Sequence, residues 1–236
     1  MSWRNKAIWT SILVVMFTAS CSKSKVDKPV VSRPPLVTAP GTPEGAAVKK
    51  TIGAAGGSIS SADGNFSVQI PAGALTANQE ITLQPVSNQL PAGYGKAYRL
   101  TPHTIQFQQP VIIRIRYDET VITNTVPELL AVAYQNEEGK WFYIEESVLD
   151  KTQKTLTVQT THFSDWGYFP LFYLDPSEAL VDPGAQLTIK CMATVDDELF
   201  LPLPGEPEVT VPYQPDASYF GDWHYSGAGS LQGTGN

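Results

Sequence analysis

The stretch "TVQTTHFSDWGYFP" holds the residues of this 236-residue chain best suited by type and spacing to chemistry. Its His162 and Ser164 place an imidazole two residues before a hydroxyl, with the bulky Phe163 between them. An imidazole can act as general base and a hydroxyl as nucleophile, so the triplet is either a reactive site or the polar end of a strand. A second group, Glu137, Glu138, Glu145 and Glu146, flanks the hairpin expected in "QNEEGKWFYIEES". Paired acids can hydrolyse glycosides, but at a turn and at strand ends they are expected to form a solvated rim.

Other catalytic patterns are missing. There is no GxSxG elbow, no glycine loop cradling phosphate ahead of a helix, and no HExxH. The chain has 3 His, scattered without zinc spacing, so His103 beside Pro102 is expected to be structural; no metal and no cofactor are expected. The acidic "VDDEL" turn offers oxygen ligands of the kind calcium takes, yet its spacing fits no calcium loop. No conventional enzyme is expected.

The N-terminus sets an address. "MSWRNKAIWTSILVVMFTASC" runs from Arg4 and Lys6 through an apolar stretch to small residues before Cys21, the order of a secretory signal. The stretch is shorter than the roughly 18 to 20 residues a membrane-crossing helix needs, so a retained anchor is the weaker reading. "TASC" resembles the lipobox of bacterial lipoproteins, although Thr18 stands where leucine is usual. The resemblance implies lipidation of Cys21 and cleavage before it. Ser22 resembles the pattern of lipoproteins passed to the outer membrane, with the periplasmic or outward face left open. If Cys21 carries lipid, only Cys191 of the 2 cysteines remains, and no internal disulfide can form.

Behind these residues the elements read as follows. Residues 1–20 are the signal, and 21–50, rich in Pro, Ser and Thr, read as the lipidated cysteine and a disordered tether. From residue 51 short alternating segments appear between turn residues: Phe66, Val68 and Ile70; Ile81 and Leu83; Val111, Ile113 and Ile115; Val132 and Tyr134; Trp141 and Tyr143; Leu156 and Val158. This spacing predicts an all-β, antiparallel β-sandwich over 51–169. Pro71 and Gly73 should end one strand in a turn with positive φ at the glycine. Pro102 and Pro110 should confine "HTIQFQQ" to an edge or short strand. In "AQLTIKCMA" Leu187, Ile189, Cys191 and Ala193 share one phase, which predicts a core position for Cys191.

The pieces "GGSISSADGNFSVQIPAGAL", "RLTPHTIQFQQPVIIRI" and "VQTTHFSDWGYF" resemble the ZU-five domain of zonula occludens proteins, uncoordinated-five netrin receptors and ankyrins. The resemblance covers about Thr51 to Phe169 and implies a sandwich that mediates protein contacts. A death-domain scaffold of this family cuts its own chain at His-Phe-Ser. Carried onto this chain, Ser164 would attack the Phe163 carbonyl with His162 as general base, giving an ester that water opens. That chemistry also needs a strained peptide bond, and a charge at Asp165 is expected to disturb the turn. The other reading has His162 and Ser164 hydrogen-bonding within the final strand while Phe163 and Trp166 fill the core, and this is the one expected.

Residues 170–236 resemble a partial immunoglobulin-like β segment. Past Leu171 the only basic residue is Lys190, while acids accumulate from Asp175 to Asp222. Nucleic acid is therefore not an expected partner. The resulting expectation is a lipid-anchored cell-envelope protein, held at the outer membrane, that binds a protein or glycan partner without enzymatic turnover. The alternative is a domain that cleaves itself between Phe163 and Ser164.

Overall fold

The computed structural model describes residues 33–176, 179, 180, 182, 184–195 and 207–216. Cys21 and the signal, Asp196 and Asp197 of the acidic turn, and the aromatics around Trp223 lie outside the described residues. The described chain is all-β, with one short 3-10 turn at Pro127–Leu129.

Among the described residues fourteen strands make three antiparallel sheets. They are β1 Val48–Ile52, β2 Gly57–Ser60, β3 Phe66–Ile70, β4 Gln79–Val86, β5 Tyr94–Thr101, β6 Gln106–Arg116 and β7 Leu130–Gln135. There follow β8 Trp141–Ile144, β9 Val148–Asp150, β10 Thr155–His162, β11 Asp165–Pro170, β12 Phe172–Asp175, β13 Lys190–Val195 and β14 Val209–Tyr213. One sheet has the order β1-β4-β5-β11-β7-β8, the second β2-β3-β6-β10-β9 and the third β12-β13-β14.

The first two sheets form a sandwich, because the apolar phase of each alternating segment points to the other sheet. Ile81, Leu83, Leu100, Val132 and Trp166 of one sheet share a fully buried core with Phe66, Val68, Ile113, Leu156 and Val158 of the other. Burying each such side chain stabilises by roughly 1.5–3 kcal/mol. The opposite phase of β7, β8 and β11 does not face water. Ala131, Ala133, Trp141, Tyr143 and Phe169 form a second core with Val195 of β13 and Val209 of β14. The described parts of 170–236 thus add a third layer, and the expected boundary at residue 170 falls inside β11.

Two expectations are corrected. Residues 33–50 are not a free tether: β1 begins at Val48, and the chain before it is a strap bridged at Pro35–Thr210, Val37–Lys140 and Pro43–Val86. "HTIQFQQ" leads into β6, the central strand of its sheet, but its own residues pair only at Gln106 with His162, the ladders to β3 and β10 beginning at Ile112 and Val111. Pro110 is tolerated because β3 pairing stops at Ile112 and the β10 register jumps from Thr160–Val111 to His162–Gln106, so no ladder bond is asked of its missing N–H. Cys191 is only half buried, and Leu187 and Ile189 of its phase are exposed, because the strand starts at Lys190 and the core contact lies at its Val195 end. The turn after β3 is as expected, with Gly73 at φ +80° and its N–H bonded to Ala54 O at 2.8 Å.

Candidate functional site

His162 ends β10 in one sheet and Asp165 begins β11 in the other. Phe163 and Ser164 are therefore the two-residue link that carries the chain across the sandwich. The link is clamped on both sides. Its Ser164 carbonyl accepts from Leu100 N at 2.9 Å, and the Ser164 hydroxyl donates to the Gln135 carbonyl of β7. Phe163 is buried, its ring packed edge-on against Phe107 with centroids 4.9 Å apart. A buried aromatic at this place locks the crossover to the core.

The His162 ring lies 5.7 Å from the Trp166 ring in a stacked pair and meets Tyr134 edge-on at 4.6 Å. Its Nδ1 is 3.5 Å from the Phe163 carbonyl oxygen, too long for a strong hydrogen bond. Among the described residues no hydrogen bond joins the His162 ring to the Ser164 hydroxyl. The Phe163–Ser164 bond is not among the cis peptide bonds, and neither residue has positive φ.

Asp165 does not disturb the turn, because a partner remote in sequence meets its charge. Arg99 on β5 donates Nε to Oδ1 at 2.7 Å and Nη2 to Oδ2 at 2.6 Å, and Nη2 also reaches the Gly41 carbonyl at 3.0 Å. The hydrogen bonds to Asp165 push the Arg99 guanidinium above its ordinary value. His103 approaches the same carboxylate with Nε2 3.8 Å from Oδ1. Arg99 was not singled out from the sequence. Its signal was a lone cation inside "AYRL", matched by a lone acid inside "FSDWGYF".

These residues border an open cleft of about 690 Å³. Its walls are the strap (Thr38, Pro40), the β7–β8 turn (Asn136 to Gly139) and the crossover, with Arg99, His103 and Gln106 opposite. The acids seen in the sequence are split: Glu137 and Glu138 stand at the cleft, while Glu145 and Glu146 follow β8 at its other end. Among the described residues no set of three His, Cys, Asp or Glu side chains could hold a metal ion, and no helix is long and apolar enough to cross a membrane.

Fold and cleft together define a class, a two-sheet antiparallel β-sandwich with a third sheet on its outer face. Comparison with protein-family models and with curated proteins gives no match.

Proposed function

We propose that this is a lipid-anchored cell-envelope protein, held at the outer membrane through Cys21, whose ZU-five-like sandwich serves as a non-enzymatic interaction module. One observation carries the reading: an open cleft lies over a crossover whose own side chains are engaged in structural bonds. Ser164 is spent on Gln135, Phe163 on the core and Asp165 on Arg99. What the cleft offers to solvent is a polar rim of one amide and two carboxylates, Gln106, Glu137 and Glu138, suited to hydrogen-bonding a protein or glycan surface.

The test is capture from envelope extracts by the full-length protein, with the exposed rim residues changed in a Glu137→Lys/Gln106→Lys variant. A partner recovered by the native chain and reduced at least about tenfold by the variant supports the module. Equal recovery, or none with either, removes it.

The self-processing reading keeps one support, that His162, Phe163 and Ser164 all line the cleft where water can enter. In it the Ser164 oxygen bonds to the Phe163 carbonyl carbon as the C–N bond breaks, and its proton passes by way of His162 to the freed amine of Ser164. Water then opens the ester, leaving a Phe163 carboxylate and the Ser164 hydroxyl.

A further inference from the structure

The strap is fastened unlike any strand of the sandwich. Pro34, Pro35, Pro40 and Pro43 have no N–H to give, so it forms three isolated bridges in place of a ladder. It is fastened at two places, at Thr42, which exchanges backbone and hydroxyl bonds with Ser87, and at Thr38. The Thr38 N–H donates to Gly139 O at 2.9 Å. Its hydroxyl accepts from Trp141 Nε1 at 2.9 Å and Gln135 Nε2 at 2.8 Å, and its carbonyl accepts from Gln135 Nε2 at 2.8 Å. Trp141 and Gln135 are 1% and 5% exposed, so the strap supplies acceptor oxygens to two buried donors, of which Gln135 Nε2 also reaches Gly139 O at 3.2 Å. Gly139, at φ +83°, has no room for a side chain: a Cβ there would stand 2.5 Å from Thr38 O.

We infer that the strap is a built-in occupant of a peptide-binding groove. The groove's ligand is an extended partner segment carrying a Thr or Ser at the position Thr38 holds here. Such a segment would displace the strap and bond to the same two donors and to Gly139 O, beside the open cleft. The inference rests on the interaction-module reading. It narrows that reading to one surface and one partner chemistry.

A labelled peptide with the sequence of residues 33–43 is the probe, titrated into the full-length protein. The native chain should bind it weakly, because its own strap competes at an effective concentration on the order of millimolar. In Gly41→Ala a Cβ would come 2.2 Å from Ser87 O and push the strap outward, and Thr38→Val removes the latch hydroxyl. Both should bind the peptide at least about tenfold more tightly, and a peptide carrying Thr38→Val should lose that gain.

A third protein guards against misfolding. Val37→Cys/Lys140→Cys joins two residues that already face each other across a bridge, at a separation of about 4.5–5.5 Å that a disulfide can span. Oxidised, it should refuse the peptide; reduced, it should bind as the native chain does. Equal binding by oxidised and reduced forms overturns the inference. So does a loosened variant that dimerises through its strap and takes no peptide. Peptide binding with a failed envelope capture would leave the groove and remove the module's rim contact; the reverse would remove the groove alone.

Discussion

At the scale of single residues the most consequential pair is Arg99 and Asp165. Asp165 is 4% exposed, and its bidentate partner is what allows a carboxylate at the start of a fully buried strand. Removing the cation leaves a buried charge unpaired, which costs more than the intact pair contributes. Arg99→Leu should therefore destabilise by roughly 2–4 kcal/mol, at the low side of the buried-pair range because the Arg99 side chain is 24% exposed. The double variant Arg99→Leu/Asp165→Leu should recover part of that loss. Urea denaturation checks both, and a single variant within about 0.5 kcal/mol of native, the size of an ordinary surface change, contradicts the role given to the pair.

At the scale of elements, Tyr94 opens β5 and ties it to the loop before β7. Its hydroxyl donates to Asn124 Oδ1, and the Asn124 carbonyl accepts from Leu174 N of β12 at 2.8 Å. Burial, helped by Tyr168 and Tyr173, pushes the Tyr94 hydroxyl from 10.0 up to about 12. A raised value means that the folded state favours the neutral form. The stabilisation is full below pH 10 and is lost as pH rises through about 12. Tyr94→Phe should flatten the fall in melting temperature across that window relative to native, and parallel curves would contradict the assignment. The strand segments themselves were legible in the sequence, because alternation such as Phe66, Val68 and Ile70 is local. Three features were not: the central place of β6, the clamp of Arg99 on Asp165, and the docking of Thr38. Each depends on which distant residue lies opposite, Thr38 meeting Trp141 103 positions away. Local composition marks 33–47 as a tether because it has no period, and only its long-range hydrogen bonds make it a strap.

For the whole molecule, three layers leave the outer face of β7, β8 and β11 covered by β13 and β14, with the strap crossing from Pro35 at β14 to Pro43 at β4. In the proposed function the chain is anchored through Cys21, binds a partner and does not cut itself. Intact-mass measurement of the mature protein extracted from membranes tests it most directly. The expected result is one polypeptide that begins at Cys21, bears the added mass of its lipid, and runs unbroken through Phe163 and Ser164. Two pieces meeting at Phe163 and Ser164, with a single piece in Ser164→Ala, or a mature chain without lipid on Cys21, would contradict it.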